Sequence, residues 1–329
     1  MSRPARTGEF ERIARLLAPL AADWPGAFGL TDDAALIALE AGRDLVVTTD
    51  TMVSGVHYVG DEPPDLIARK LLRVNLSDLA AMGARPRAYT LAMALPSATD
   101  DGWLEAFAAG LAADQALFGV SLIGGDSVST AGPAVLTVGA FGTVRAGDAL
   151  RRGGARPGDR IWVSGSVGDG ALGLLAVRGD LDGLAPEHRA FLSDRYRLPR
   201  PRVALGPALT GVASAAMDVS DGLVGDLRHI AETSGVAAVL DMTAVPLSAA
   251  GRAAVGRDAA LMRHVLTGGD DYELLFTAPP YAADRILALS TALDLPLTAI
   301  GRVEAGEGVR VLDAAGRPLD LGRGGYTHV

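Results

Sequence analysis

The chain contains no cysteine, and this absence excludes several kinds of site at once. Disulfides, thiolate nucleophiles, iron–sulfur clusters and zinc sites with thiolate ligands all need that residue. Lysine is almost absent as well, because Lys70 is the only one in 329 residues. There is also no Gly-x-x-x-x-Gly-Lys-[Ser/Thr] segment, and no Gly-x-Gly-x-x-Gly at the first predicted βα unit. A nucleotide site of the Walker or Rossmann type is therefore not predicted.

Basic patches and long apolar runs are lacking too. The formal net charge of −9 disfavours a surface for nucleic acid or anionic membranes. Residues 127–144 form the longest uncharged stretch, but its glycines, proline and hydroxyl side chains predict a turn and a buried strand rather than a membrane span. Residues 1–20 mix charged and apolar side chains and have no signal-peptide core. We therefore expect a cytoplasmic protein that acts on small molecules, with no nucleic-acid or membrane partner.

The length and the sequence pattern predict an α/β (α+β) protein of two domains. A Gly- and Arg-rich segment at residues 151–159 interrupts all periodicity near the midpoint, so we place the domains at 1–150 and 151–329. The first domain is predicted as a mixed sheet with helices, and the second as a further α/β unit. Periodicity predicts helices at 9–20, 66–82, 101–118, 170–177 and 223–233, and strands at 44–51, 89–95, 120–123, 134–144, 160–164 and 215–219.

Aspartates at the ends of apolar segments are the most informative feature of the sequence. They are Asp32, Asp33, Asp50, Asp78, Asp126, Asp218, Asp221, Asp270 and Asp271. Carboxylates that converge repel one another unless they hold cations, and oxygen ligands without thiolates favour magnesium, manganese or calcium. For any single aspartate the alternative is a turn, a helix cap or a solvated charge. Asp221, for example, would serve equally as the cap of a helix that begins near Leu223.

Two glycine-rich segments are compatible with phosphate binding. Gly124-Gly125 follows a predicted strand and would let the backbone approach an anion before Asp126 presents its carboxylate. Residues 165–170 lie between a predicted strand and helix, where backbone amides can bind phosphate, although a tight turn is the simpler explanation. Because the chain has one lysine, the negative charge of a bound phosphate would be neutralised by metal ions and by arginines such as Arg151 and Arg152. Phosphoryl transfer fits, since it needs positioning and charge neutralisation rather than a protein nucleophile.

The order and spacing of these motifs resemble the thiamine-monophosphate kinase family. The matching segments are Gly8-Glu9-Phe10, Asp32–Ala35, Thr48–Thr51 with His57, Val74–Gly83, Leu122–Asp126, Asp218–Leu223, Gly268–Leu274 and Gly325-Tyr326. The resemblance extends from residue 8 to residue 328. It implies the two-domain fold of aminoimidazole-ribonucleotide synthetase.

The resemblance also implies a reaction and its residues. The γ-phosphate of ATP would pass directly to thiamine monophosphate with the help of several Mg²⁺ ions, giving thiamine diphosphate. By motif, the metal ligands would be Asp33, Thr48, Thr49, Asp50, Asp78, Asp126, Asp218 and Asp221, of which Asp78, Asp126 and Asp221 would be the catalytic residues. ATP would be bound by Gly125, Asp126, Arg152 and Ser220, and the thiamine moiety by His57, Asp270 and Tyr326.

Two positions depart from the family pattern, and two other functions stay open. Asp270 stands where many members have glutamate, and Thr31 replaces the glycine before the paired aspartates. Members of the family pair through their N-terminal sheets, so the resemblance implies a homodimer. The alternatives are another ATP-dependent synthetase of the same fold, similar to aminoimidazole-ribonucleotide synthetase, and a non-catalytic nucleotide- or cation-binding module. Two relatives of this fold depend on a reactive cysteine, which this chain lacks.

Overall fold

Two units make up the part of the chain that the structure describes. This computed structural model describes the backbone of residues 9–321 and the side chains of residues 11–321. Among them, one unit contains residues 9–79 and 85–146, and the other contains residues 80–84 and 147–321. No helix in the described range is long and apolar enough to cross a membrane.

The N-terminal unit consists of a four-stranded sheet and its helices. Its elements are α1 (Glu9–Arg12), β1 (Arg43–Val53), α2 (Pro64–Ala81), β2 (Arg85–Pro96), α3 (Asp101–Phe118), β3 (Ser121–Thr130) and β4 (Val135–Arg145). The strand order is β1-β4-β2-β3, with β2 and β3 parallel and the other pairs antiparallel, so the predicted mixed sheet is confirmed. This order leaves β1 and β3 at the two edges.

The two faces of this sheet differ in burial. Along β4 the even-numbered residues up to Val144 are buried and the odd-numbered ones are half-buried, and β1 repeats the alternation. The helix α2 lies on the buried face, because the hydroxyl of Thr48 on β1 donates to Asp78 on α2. The other face keeps Leu45, Val47 and Val128 exposed, although residues 21–37 pack against one end of it. A sheet that is covered on one face only shows this alternation.

The helix α3 follows the sequence signals at both of its ends. Asp100 accepts a hydrogen bond from the amide of Trp103 and so caps the first turn, and Gly119 follows the last residue. Asp114 on α3 is fully buried and binds the guanidinium groups of Arg69 and Arg73 on α2, with Nε–O distances of 2.9 and 2.6 Å. Removing one partner of such a buried pair costs about 3–5 kcal/mol, so this contact fixes α2 against α3.

The first predicted helix is confirmed only in part. An α-helix at Glu9–Arg12 is followed by a π-helix at Ile13–Leu17 and a 3₁₀-helix at Ala18–Ala21. Pro19 lies at the start of the 3₁₀ turn and has no amide hydrogen, so a regular α-helix cannot continue through it.

The C-terminal unit is built on a six-stranded sheet with the strand order β10-β7-β9-β5-β8-β6. Its strands are β5 (Arg160–Ser164), β6 (Ala215–Asp218), β7 (Ala237–Asp241), β8 (Leu274–Ala278), β9 (Leu297–Glu304) and β10 (Gly308–Leu312). Its helices are α4 (Asp169–Arg178), α5 (Pro186–Arg197), α6 (Leu205–Ala208), α7 (Leu223–Ser234), α8 (Ala249–Arg257), α9 (Leu261–Thr267) and α10 (Ala283–Ala292). The predicted second α/β unit is therefore confirmed.

Candidate active site

The N-terminal unit brings three of the predicted metal ligands together. The hydroxyl of Thr48 lies 2.6 Å from Oδ2 of Asp78, and the backbone amide of Asp50 donates to Oδ1 of Asn75 at 3.0 Å. Thr48 and Asp50 share a face because they are two residues apart on β1. Asp78, the one acid in the last two turns of α2, thus faces a strand with further oxygen donors. This pairing explains an aspartate at position 78 better than an exposed helical position does.

Asp126 lies elsewhere in the same sheet. It is on the edge strand β3, whereas Asp50 is on the opposite edge strand, so three strand spacings of roughly 4.8 Å separate the two backbones. The register places Asp126 in one row with Ala92 and Thr51, and therefore on the exposed face, while Asp50 points to the face of α2. Asp126 therefore lies on the face opposite Thr48, Asp50 and Asp78.

The Gly-Gly-Asp segment has a different conformation from the one predicted. It was expected as a turn after a strand, but β3 continues through it to Thr130. A Cβ on Gly125 would lie 1.9 Å from the carbonyl oxygen of Leu91 on β2, so a glycine is required by the close approach of the neighbouring strand. Packing between strands therefore accounts for this glycine without any bound phosphate.

Three further predicted residues lie in or near β1. The Thr49 hydroxyl donates to the carbonyl of Val138 on the face opposite Thr48. Nδ1 of His57 accepts from the amide of Val53 at 3.1 Å, which leaves Nε2 as the nitrogen that carries the proton in the neutral ring. Asp33 is exposed in the loop before β1. None of these contacts tests a metal or substrate role, and those roles stay predictions.

A second set of predicted residues meets at the turn between β6 and α7. Asp218 ends β6 and is 3% exposed, and Ser220 and Asp221 form the turn that follows. The carboxylate of Asp226 accepts from the amides of Asp221 and Gly222, both at 3.1 Å. Asp221 is therefore not the cap of α7, because Asp226 makes the capping contacts. Burial, and then the charge of Asp221, raises the pKa of Asp226 to about 7.

Arg152 lies near this turn. The carbonyl of Arg151 accepts from the amide of Ala216 at 2.9 Å, so the segment runs beside β6. The positive charge of Arg152 acts to lower the pKa of Asp226, against the larger effect of burial. The C-terminal unit thus brings an exposed arginine close to the turn that carries Asp221.

The segment with Asp270 packs directly on the same turn. The amide of Asp270 donates to the carbonyl of Ser220 at 2.9 Å, and the amide of Tyr272 donates to the carbonyl of Val219 at 2.8 Å. A Cβ on Gly269 would lie 2.0 Å from the Ser220 carbonyl oxygen. The two glycines before Asp270 are therefore needed for close packing. The fully buried strand β8 follows this segment.

The glycine-rich segment before α4 is not free to bind phosphate. Its amides at Gly168 and Gly170 donate to the two carboxylate oxygens of Asp271, at 2.6 and 2.9 Å. An internal carboxylate thus occupies the N-terminus of α4, where an anion would otherwise bind. Burial raises the pKa of Asp271 to about 8, and the two hydrogen bonds oppose that shift.

Two fully buried acids in this region, Asp271 and Glu273, were given no role from the sequence. The Glu273 carboxylate accepts from the Ser164 hydroxyl at 2.6 Å, from Arg195 Nη2 at 3.1 Å and from Arg202 Nε at 2.6 Å. One feature of the sequence could have identified them, because both acids stand at alternate positions just before an apolar strand. Side chains at such positions can become buried, and a buried acid needs specific partners.

Several predictions about the site are not settled by these contacts. Within the described range, no group of three or more His, Asp or Glu side chains is arranged so that it could hold a metal ion.

A cavity of about 140 Å³ lies in the N-terminal unit between residues 12–17, α3 and the ends of β2 and β3, and no predicted site residue lines it. Tyr326 lies outside the described residues.

Sequence profiles of known families match both halves of the chain. The N-terminal domain of AIR synthase related proteins matches residues 31–144, and the C-terminal domain of the same proteins matches residues 156–314. The fold and the two matches define a protein of this class.

Comparison with individual relatives identifies the family within this class. A thiamine-monophosphate kinase of Caulobacter vibrioides is 44% identical over 97% of this chain and 90% of that protein, and one of Escherichia coli K12 is 40% identical over 98% of both. The crystal structure of thiamine-monophosphate kinase from Stenotrophomonas maltophilia K279a has a TM-score of 0.79 at 48% identity, covering 86% of this chain and 89% of that one. The structure of AaThiL complexed with AMPPCP and TMP has a TM-score of 0.78 at 29% identity, covering 92% and 97%. The chain belongs to the thiamine-monophosphate kinase family of enzymes.

Proposed function

We propose that this enzyme transfers the γ-phosphoryl group of ATP to the phosphate of thiamine monophosphate, in line and without a phosphoenzyme, giving thiamine diphosphate and ADP. The observation that carries the proposal is the similarity, over 92% of the chain, to a structure that holds AMPPCP, an analogue of ATP, together with TMP. A transfer of this kind needs positioning and charge neutralisation rather than a protein nucleophile.

The donors on the two units fit magnesium. Thr48, Asp50 and Asp78 offer only oxygen atoms, as do Asp218 and Asp221, and Mg²⁺ prefers such ligands. We assign metal binding to these residues and to Asp33, Thr49 and Asp126. Bound Mg²⁺ would neutralise the charge that develops on the transferred phosphoryl group.

The assignment of the nucleotide and of the substrate follows the family motifs. We assign ATP binding to Gly125, Asp126, Arg152 and Ser220. The thiamine moiety is assigned to His57, Asp270 and Tyr326. In this assignment the N-terminal domain supplies metal and ATP ligands together with the dimer contacts, and the C-terminal domain completes both binding sites.

An assay of the purified protein tests the proposal directly. Incubation with ATP, Mg²⁺ and thiamine monophosphate should give thiamine diphosphate and ADP in equal amounts, measured by chromatography. A reaction that consumes ATP without forming thiamine diphosphate would point instead to another synthetase of this fold. Full-length protein that consumes no ATP and forms no product would overturn the proposed activity.

Asp270→Ala should mainly raise the KM for thiamine monophosphate. A contact with the organic part of the substrate is similar in the ground state and the transition state, so we expect a rise of about tenfold with kcat within about threefold. The KM for ATP should stay the same. Steady-state kinetics with each substrate varied in turn provides the measurement.

Asp294→Ala is a matched control for that variant. Asp294 and Asp270 both have left-handed backbones, with φ of 47° and 69°, so both substitutions introduce the same backbone strain. Only the substitution at position 270 should change the KM. An unchanged KM in a variant with a lower melting temperature would show that Asp270 merely orders its turn.

We also propose that the chain forms a homodimer through the exposed face of its N-terminal sheet. Leu45, Val47 and Val128 expose apolar side chains there, and Val47 is 58% exposed. Leu45 and Val47 lie two residues apart on β1, and exposed apolar side chains that share a face mark an interaction surface. A second copy could cover it and pair the edge strands β1 and β3. The cytoplasmic location expected from the sequence stays a prediction.

Val47→Asp should convert this dimer to monomers. A carboxylate within an apolar interface would lose its hydration without gaining a partner, and the substitution occurs twice in a symmetric dimer. Light scattering coupled to gel filtration gives the mass. The control is Leu117→Asp, because Leu117 is 62% exposed at the end of α3 and lies off the sheet. A dimer that survives Val47→Asp would contradict this assignment of the interface.

A further inference from the structure

The four residues Asp270–Glu273 alternate between two environments. The side chains of Asp271 and Glu273 are fully buried, whereas those of Asp270 and Tyr272 are half-buried. The half-buried pair also has left-handed backbones, with φ of 69° at Asp270 and 53° at Tyr272. Left-handed conformations are uncommon for residues other than glycine and persist where the surroundings fix them.

Asp271 provides one of these fixed points. Both of its oxygens accept amide hydrogens from the first turn of α4, at Gly168 and Gly170, and its carbonyl accepts from Arg195 Nη2 at 3.4 Å. A carboxylate at a helix N-terminus is stabilised by the amides and by the helix dipole. The backbone between the two left-handed residues is therefore attached to a rigid element.

The neighbours of Asp271 are attached to the turn that carries Ser220. The amides of Asp270 and Tyr272 donate to the carbonyls of Ser220 and Val219, as described above. In addition, the Tyr272 hydroxyl donates to Oδ1 of Asp270 at 3.2 Å. The backbone of Asp270 and the orientation of its carboxylate are thus held by different contacts.

We propose that Asp271 and Tyr272 are positioning residues for the thiamine monophosphate site, Asp271 by fixing the backbone of Asp270 and Tyr272 by orienting its carboxylate. This inference rests on the proposed function and on the substrate contact assigned to Asp270. Neither positioning residue needs to touch the substrate itself. Their effect should appear in substrate binding and should depend on the presence of the Asp270 carboxylate.

Kinetics of Asp271→Asn test the first half of the proposal. The asparagine keeps one acceptor but directs an amide group at the second backbone N–H, so the segment has to shift. We expect the KM for thiamine monophosphate to rise about tenfold, with the KM for ATP within about twofold. Tyr272→Phe, which removes a single hydroxyl, should raise the same KM about threefold.

The double variants separate positioning from general stability. In an Asp270→Ala background, adding Asp271→Asn or Tyr272→Phe should change the KM by less than about twofold, because the group being positioned is gone. Asp114→Asn is the control, since Asp114 is another fully buried carboxylate, in the N-terminal unit. It should lower the melting temperature and leave the KM for thiamine monophosphate unchanged.

Each outcome decides the matter. An active wild type whose Asp271→Asn and Tyr272→Phe variants keep a normal KM overturns the positioning role alone. Effects that persist in full in the Asp270→Ala background overturn it as well. If Asp271→Asn fails to fold, a normal KM in Tyr272→Phe overturns the proposal. A wild type that forms no thiamine diphosphate overturns the proposed function and this inference together.

Discussion

Dialysis against EDTA should abolish thiamine diphosphate formation, and added Mg²⁺ should restore it. The phosphates of two substrates carry several negative charges, and Arg152 is the one arginine among the residues assigned to the site. The only lysine of the chain, Lys70, is 4% exposed within α2, and the other charged residues assigned to the site are acidic. Acidic side chains would repel the phosphates unless cations lie between them. We therefore expect residual activity below about 1% without divalent ions.

The control for this experiment is a test that the protein stays folded. The melting temperature and the circular dichroism spectrum should be measured on the same EDTA-treated sample, so that a loss of activity is not a loss of structure. Calcium in place of magnesium provides a further comparison, because Ca²⁺ binds oxygen ligands with a different geometry. Full activity after exhaustive removal of divalent ions would contradict the metal assignment.

Asp126→Asn should lower kcat by more than about 100-fold, because it would remove a charged ligand from the transition state. The substitution preserves the shape of the side chain and can keep the hydrogen bond from the Ser127 amide, which is 2.8 Å long. Asp126 is exposed on the edge strand β3, so the stability of the fold should hardly change. Single-turnover kinetics under saturating Mg²⁺ and ATP measures the chemical step.

Asp44→Asn is the matched control for Asp126→Asn, since Asp44 is an exposed aspartate on a strand of the same sheet, outside the predicted site. It should keep wild-type kcat. Near-normal turnover of Asp126→Asn would show that Asp126 is not part of the metal site. Asp126 would then be only a solvated charge on the exposed face of the sheet, away from Asp50.

Local sequence signals predicted the regular elements well. The helix at 101–118 and the strand at 160–164 have the predicted bounds, because a cap, a terminal glycine and clear periodicity mark them. The strand that was expected to end before Gly124 continues to Thr130. The glycine at position 125 lets the strand continue close to the backbone of Leu91 on β2. This contact is non-local, so no local sequence pattern predicts it.

In the candidate site, too, local signals predicted some features and missed those that depend on non-local contacts. An aspartate at the end of an apolar segment was a sound signal for Asp78, since such an acid needs a partner, and Thr48 is one. The capping role of Asp226 and the contact of Asp271 with α4 were not predicted. Both depend on which loop meets which helix N-terminus in the folded chain. Pattern alone therefore marks candidate acids, but it does not separate those that bind ligands from those that hold loops.

The half-covered sheet of the N-terminal unit bears on how the protein behaves in dilute solution. Its exposed face carries Leu45, Val47 and Val128, and burying them against a second copy would link folding to association. The melting temperature and the specific activity then become functions of protein concentration. In the proposed dimer, dilution would favour the monomer, whereas a more concentrated sample would be more resistant to heat.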